Sequence, residues 1–413
     1  MPQAPEIAAL LLDSAAVVLL IYWSVGLFHV IRTMVAVPTA RAGLRLAERD
    51  PATPRACLVV PAHNEVAAVG RFIDSIKAQD YSALRVVIVL DRCTDATPVV
   101  VRERVAGDAR FEVIEVASCP DDWAGKVHAV WRGVRDAAGA RDAEVLAFTD
   151  ADTVFAPGCV RAAVALMRAR GLDLLSLLST LSARRWYELF VQPAAMLETV
   201  TQYPLRRAAK ATRRKAFANG QFMMFTRAAY DAIGGHEAAR GALLEDLALA
   251  RLIARQHRPA GVFLADGMLT CRMYSSWGEF RRGWTRIFIE LSSRRPDRLA
   301  RYAWRPRVFG CLLPLAVAAN AAITASGAPV LVRDTPGISV ALSLTALGVF
   351  AVVLAALYRL GRMPLWAVPG FIAGSWLVGG LLSGAARTLR RGHAIEWGGR
   401  SYALPRRESR RAV

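Results

Sequence analysis

The sequence predicts an α/β domain flanked by membrane-spanning helices, and three observations carry that expectation. Runs of strand length alternate with helical stretches between Ala56 and about Leu291. Apolar segments long enough to cross a bilayer lie on either side of that region. The chain of 413 residues is 54% hydrophobic yet carries a formal net charge of +19, with arginine dominating the basic side.

A chain of this length is expected to hold two or three domains. Its arginines flank apolar runs or gather in the tail, which suits a membrane surface and anionic phosphates. No zinc finger, RNA-binding signature or aromatic-interleaved basic stripe is present, so no nucleic acid partner is expected. The six cysteines (Cys57, Cys93, Cys119, Cys159, Cys271 and Cys311) are scattered without a C-x-x-C. That fits reduced thiols in cytosol and argues against a disulfide framework or a zinc site.

The first element, Ile7 to Ile31, is 25 mostly apolar residues interrupted by Asp13 and His29. At ~1.5 Å per residue it reaches roughly 37 Å, enough to span. No basic n-region precedes it, so a cleaved signal peptide is not expected. Arg32, Arg41 and Arg45 follow it. The positive-inside rule then places the N-terminus outside and the chain from Arg32 in the cytoplasm.

Strand-length runs follow: "CLVV" before Pro61, "LRVVIVL" before Asp91, "FEVIEV" after Arg110, "EVLAFT" before Asp150 and "LDLLSLL" from Leu172. Between them lie helical patterns at Val66–Ala78, Asp95–Ala106 and Lys126–Ala138. Strands and helices alternating at these lengths predict a parallel sheet of βαβ units. Ligands of such sheets gather at the carboxyl ends of the strands. Asn64 and Glu65, Asp91, and the pair Asp150 and Asp152 all stand just after strand runs, where crowded acids call for a cation. Trp186–Leu205 mixes aromatic, apolar and charged residues, and reads either as an interfacial helix or as a soluble core helix.

After Arg307 the composition shifts. Val308–Ser326, Ile338–Tyr358 and Leu365–Ala386 each have about the length of a span. The last is interrupted by Pro369, Gly370, Gly374, Gly379 and Gly380. The tail from Arg387 to Val413 carries eight Arg and no Lys. Four full spans would leave that tail outside, against the positive-inside rule. A re-entrant or interfacial last segment resolves the conflict and leaves the tail in the cytoplasm. The expected division is an N-terminal transmembrane helix (residues 1–32), a cytoplasmic catalytic domain with interfacial helices (33–294), a C-terminal transmembrane region (295–386) and a basic tail (387–413).

Seven motifs occur in order: "VVPAHNE" (Val59–Glu65), "LDRCTD" (Leu90–Asp95), "WAGKVHAV" (Trp123–Val130), "FTDAD" (Phe148–Asp152), "NGQFMMF" (Asn219–Phe225), "GGHE" (Gly234–Glu237) and "LLEDLALA" (Leu243–Ala250). Together they resemble membrane-bound family-2 inverting glycosyltransferases. The resemblance implies a GT-A fold, with a Rossmann-like mixed sheet, between the transmembrane elements. It also implies a nucleotide-sugar donor, uridine-based, whose diphosphate needs Mg2+ or Mn2+ to neutralise charge on the leaving group.

Residue by residue, the resemblance makes Asp152 the metal ligand and Asp150 a contact to the ribose or the metal shell. Asp91 is expected to bind the nucleoside, with Pro61, Ala62 and Glu65 shaping the same pocket. Lys126, one of only four Lys, lies after Gly125 at a helix start, from which it reaches the nucleotide or a phosphate. Asp246, the Asp of the Glu245–Asp246 pair, takes the place of the catalytic base. A carboxylate at a helix start is held ionised, as a base requires, although simple capping explains the pair too. Gly220 and Glu245 are expected on the substrate side. His236 lines the sugar or acceptor side, or else is a structural histidine.

Many members carry Q-x-x-R-W after the base. The matching stretch here, "EFRRGWTRIFIEL" (Glu279–Leu291), keeps Trp284 but has Phe280 for Gln and Gly283 for Arg. This is closer to bacterial carotenoid (diaponeurosporenoate-type) glycosyltransferases. Arg281, Arg282 or Arg286 then holds the leaving diphosphate, or the same basic face rests on anionic lipid. "IEWGGRSY" (Ile395–Tyr402) resembles a W-x-G-R-x-Y element of those members.

The sequence is thus expected to encode a multi-pass plasma-membrane glycosyltransferase with a cytoplasmic catalytic domain. Its acceptor is expected to be lipophilic: carotenoid, other terpenoid, sphingolipid-like or polyketide. Two other readings compete. A processive polysaccharide synthase normally has more spans and the full Q-x-x-R-W helix. An inactive membrane scaffold or lipid-binding protein would not need Asp150, Asp152 and Asp246 together.

Overall fold

A computed structural model describes residues 4–50, 52–202, 217–327, 335–397 and 400–402. Helix α1 (Ala4–Ala36) precedes the amphipathic α2 (Arg41–Arg49). The α/β domain opens with β1 (Ala56–Ala62), α3 (Val69–Lys77), β2 (Leu84–Asp91), α4 (Thr97–Val105) and β3 (Phe111–Val116). Helices α5 (Gly125–Asp136) and α6 (Ala138–Arg141) lead to β4 (Val145–Thr149), β5 (Thr153–Phe155), α7 (Cys159–Ala169), β6 (Leu174–Leu178) and β7 (Thr180–Leu181). The apolar runs seen in the sequence become these strands because β1, β2 and β4 are buried on both faces and almost continuously apolar.

The predicted interfacial helix breaks at Val191 into α8 (Trp186–Phe190) and α9 (Gln192–Gln202); its last three residues lie outside the described chain. Glu188 starts α8 by accepting the N–H groups of Arg184 at 2.8 Å and Arg185 at 3.0 Å. Beyond Phe217 come β8 (Phe222–Thr226), α10 (Arg227–Ala232), α11 (Glu245–Arg255), β9 (Ala260–Leu264), β10 (Leu269–Cys271) and α12 (Trp277–Leu291).

The seven-stranded sheet has the order β3-β2-β1-β4-β8-β6-β9. It is mixed, not wholly parallel: β8 runs antiparallel to both β4 and β6. Hydrophobic periodicity does not encode strand direction, so the βαβ pattern alone missed this. The reversal matters for the site. Phe222 is registered against Thr149, so Asn219–Gln221 is delivered to the carboxyl end of β4, next to Asp150. A small sheet, β5-β10-β7, brings Cys271 beside Asp152.

After α12 the chain is helical: α13 (Pro296–Arg307), a wide turn at Val308–Leu312, α14 (Leu313–Ala325), α15 (Pro336–Leu360), a tight turn at Leu365–Gly370 and α16 (Phe371–Arg391). A short hairpin, β11 (Ile395–Trp397) and β12 (Arg400–Tyr402), follows. Four stretches are long and apolar enough to cross a membrane: Pro5–Ala36, Pro296–Ala325, Pro336–Leu360 and Leu365–Arg391. The breaks expected in the last segment are confined to its first six residues, and Gly374, Gly379 and Gly380 lie within one continuous helix. Gly374 and Gly379 are contact points: a Cβ on Gly374 would run into the Phe190 carbonyl, and one on Gly379 would stand 2.7 Å from the Ala303 carbonyl oxygen.

Apolar cores line the two faces of the large sheet. A third joins α1, α14 and α15 to α8, α9 and α12 through Trp23, Phe280, Trp284, Phe350 and Phe371. Helix α12 therefore belongs to the α/β domain and to the core of the long apolar helices at once.

Candidate active site

One cavity of about 980 Å3 opens at the carboxyl ends of the strands. Its strand side is lined by Pro61, His63, Glu65, Asp91, Lys126, Asp150 and Asp152. Its other side is lined by Met196, Thr199 and Val200 of α9 and by Arg282, Trp284, Arg286, Ile287 and Leu291 of α12. Glu245, Asp246 and Gly220 complete the wall.

Asp91 ends β2, and His63 Nδ1 lies 2.6 Å from its carbonyl oxygen, tying the ends of β1 and β2 together. Its carboxylate is gripped by Arg92 at 2.8 and 2.7 Å. Arg92 escaped the sequence reading, though it directly follows Asp91 in "LDRCTD". Burial, with the charges of Asp150 and Asp95, pushes the Glu65 carboxyl up to about 7.

The pair after β4 is split between two environments. Asp150 Oδ1 is 2.6 Å from Lys126 Nζ, which also stands 2.5 Å from Glu245 Oε1. Lys126 thus joins the "GK" and "ED" motifs, and its two acids hold it above the usual ammonium range against the effect of burial. Asp152 Oδ1 is buried with no hydrogen-bond partner among the described residues. Burial, then Asp150 and Glu65, push its carboxyl up to about 8. An acid in that state is relieved by a cation. Among the described residues no three His, Cys, Asp or Glu side chains form a ready-made cage. One carboxylate with room beside it suits a small hard cation that takes its other ligands from water and a diphosphate, so the residues fit Mg2+ or Mn2+.

Asp246 and Glu245 open α11. Asp246 Oδ2 accepts the Gly220 N–H at 2.8 Å and Oδ1 accepts the Leu247 N–H at 2.6 Å. Burial and the neighbouring Glu245 charge push its carboxyl up to about 6. Burial would raise Glu245 as well, but Lys126 holds it below the usual carboxylate range. The two adjacent acids are driven apart, one ionised as an ion-pair partner and the other poised near neutrality.

Three expected site residues lie elsewhere. Ala62 is fully buried in β1, and its carbonyl accepts the Cys93 thiol at 3.3 Å; strand alternation turns it inward while Pro61 reaches the cavity. Arg281 is exposed on the side of α12 away from the cavity lining. His236 is a core residue: its Nδ1 is 2.8 Å from Tyr230 Oη and its ring packs edge-on against Phe148 at 4.6 Å. Burial pushes its imidazole down to about 3, so it is neutral.

Arg282, Trp284 and Arg286 do line the cavity. Arg286 is buried, and its Nη1 donates to the Leu243 carbonyl at 3.3 Å, supporting the turn before Glu245. Tyr274, also unforeseen, explains the departure at Gly283. Its ring packs directly over Gly283, where any Cβ would collide with it, so the Arg found there in many members has no room. Tyr274 Oη and Trp284 Nε1 are both buried without a partner among the described residues.

Residues 54–275, more than half of the chain, match the family described as "Glycosyltransferase like family 2". The chain belongs to that family. The family assignment and the mixed sheet agree with the GT-A expectation drawn from the seven motifs. Among curated family members, the chain is 29% identical over 233 residues to 4,4'-diaponeurosporenoate glycosyltransferase of Staphylococcus aureus (strain MRSA252), a match covering 55% of this chain and 59% of that relative. It therefore spans little more than half the length of this relative. The same enzyme from strain USA300 matches at the same identity and coverage. Of solved structures, mannosyltransferase PcManGT from Pyrobaculum calidifontis in complex with GDP-Man and Mn2+ is 19% identical. It covers 83% of this chain and 99% of its own at a TM-score of 0.45. S. aureus TarS 1-349 in complex with UDP-GlcNAc is 11% identical, covering 86% and 97% at a TM-score of 0.39. Likenesses this remote carry no argument about activity.

Proposed function

We propose that this chain is an inverting glycosyltransferase of the membrane. It moves a sugar from a nucleotide-sugar donor, a uridine diphosphate sugar, to a lipophilic acceptor. One observation carries the reading. A single cavity joins the acidic strand ends to a wall of α9 and α12 that carries Met196, Val200, Trp284, Ile287 and Leu291, and those helices share a core with α1, α14 and α15. A water-soluble acceptor would have no use for such a wall.

The nucleoside lies against Pro61, His63 and Asp91. Asp152 would hold Mg2+ or Mn2+, which when bound neutralises charge on the departing diphosphate. Asp246, fixed by two backbone donors, takes the proton of the acceptor hydroxyl as its oxygen attacks the anomeric carbon in line. The bond from that carbon to the diphosphate oxygen breaks, and the nucleoside diphosphate leaves with the bonding pair. Tyr274 Oη and Trp284 Nε1 offer hydrogen bonds to the ligand. The catalytic domain faces the cytoplasm and α1 enters from outside.

Membranes carrying the full-length chain, incubated with radiolabelled UDP-glucose and Mn2+, should move label into a single low-mass lipid in the organic phase. Label kept in water, or in a long polymer, would overturn the lipid-acceptor reading, and the polymer would favour a processive synthase.

A further inference from the structure

Helix α16 is apolar enough to span, but its first turn meets the catalytic domain and its last turn lies at the start of α13, a few residues after that domain ends. Its first turn rests on Phe190 and Val191, where α8 meets α9. Its last turn lies beside α13, with Arg390 Nη2 3.9 Å from Asp297 Oδ1, just after α12 ends. Between these points it runs antiparallel to α13: Ser375 faces Gly310, Gly379 faces Ala303, and Arg307 Nη1 donates to Ser383 Oγ at 3.2 Å. Cys311 to Ala325 then continue past the top of α16 for about 15 residues, roughly 22 Å. A crossing helix would carry its end to the far level of α14, where Asn320 and Ser339 hydrogen-bond Asp13 at 3.2 and 3.0 Å. Instead α16 returns.

We propose that α16 is a non-crossing helix and that its end, with the start of α13, docks on the anionic phospholipid headgroups of the leaflet facing the catalytic domain. The inference uses the membrane placement above but not the transfer reaction. Arg295, Arg301, Arg387, Arg390 and Arg391 are all exposed at these paired ends, with Asp297 among them. Guanidinium groups match phosphate oxygens in a planar fork. Trp304 and Trp376 stand on the paired helices α13 and α16 with 51% and 48% of their surface exposed. Arg307 lies over the Trp376 ring at 5.3 Å. Indole rings with an apolar body and one N–H donor settle at the headgroup boundary, and Trp304 stands one turn from Arg301 on α13. Each such charge near an anionic surface strengthens association about fivefold.

The test uses the purified full-length chain in detergent, titrated with pyrene-labelled phosphatidylglycerol or pyrene-labelled phosphatidylcholine. Energy transfer from tryptophan is the readout. Half-maximal transfer should need at least about fivefold less of the anionic lipid, and the preference should fade in high salt. Arg387→Gln/Arg390→Gln/Arg391→Gln should bring the two curves together, whereas Arg102→Gln/Arg104→Gln on the distant α4 should not. If the triple variant fails to fold, Arg301→Gln/Arg387→Gln should narrow the gap. Equal curves in the wild-type chain, or a preference untouched by either set of substitutions on α13 and α16, would overturn the proposal.

Discussion

The backbone N–H of Gly220 holds Asp246 Oδ2 at 2.8 Å. The strand reversal at β8 makes that bond possible, because it carries "NGQ" to the helix start that bears "ED". The bond orients the carboxylate and favours its ionised form, while burial and the Glu245 charge push the carboxyl the other way. Asp246→Asn should lower kcat by ~10²–10⁴-fold, the usual cost of losing a general base, while donor binding by calorimetry stays near wild type. Asn caps a helix about as well as Asp, so a capping role predicts no such loss. The base must be ionised, and its carboxyl is pushed up to about 6. Turnover should therefore fall as pH drops through that value and level off above it.

Lys126 joins Asp150 to Glu245. Lys126→Met should leave two facing acids without their cation, costing up to about 3 kcal/mol of stability and raising the donor KM. The double variant Lys126→Met/Glu245→Gln should recover part of the melting temperature, because only one acid is then stranded. A melting curve unchanged in the single variant would mean that water already satisfies both carboxylates.

Asp152 carries a buried carboxylate oxygen without a hydrogen-bond partner among the described residues. Asp152→Asn should abolish Mn2+ binding, followed by the free-ion signal in electron paramagnetic resonance, and should abolish transfer while leaving the fold intact. Wild-type activity in EDTA equal to that with Mn2+ would remove the metal from the reaction.

Tyr274 fills the space over Gly283 and holds a buried hydroxyl in the cavity wall. Tyr274→Phe removes only that oxygen, and a lost hydrogen bond to a charged group is worth about 1.5–3 kcal/mol. We expect nucleoside diphosphate to bind about tenfold or more weakly, with melting temperature unchanged or higher. Unaltered product inhibition would leave Tyr274 as packing alone.

The strand-end acids were legible because their chemistry is local: an apolar run, a turn, then a carboxylate. The pairing of Lys126 with Glu245 was not, since 119 residues of chain separate them and only the sheet order joins them. His236 and Ala62 show the limit of motif reasoning. Both sit in matching motifs, yet one packs under Phe148 and the other alternates inward along β1. Hydropathy marked α16 as a possible span because it reads composition. The docking of Gly374 on Phe190 and of Arg390 near Asp297, on which the non-crossing proposal rests, depends on shape.

The side of the membrane proposed for Ser409 rests on that docking. Thr39 is bridged to Leu264, and the Ala40 N–H donates to the Leu264 carbonyl at 2.8 Å, so the end of α1 is fastened to β9 of the catalytic domain. A cysteine at Thr39 therefore reports the side of that domain. With α1, α14 and α15 crossing and α16 returning, a cysteine at Ser409, beyond the described residues, should share that side. In intact cells an impermeant maleimide should label neither position, and in inverted vesicles both. Labelling of Ser409 alone in intact cells would make α16 a fourth span, and labelling of Thr39 there would reverse the orientation of the whole protein.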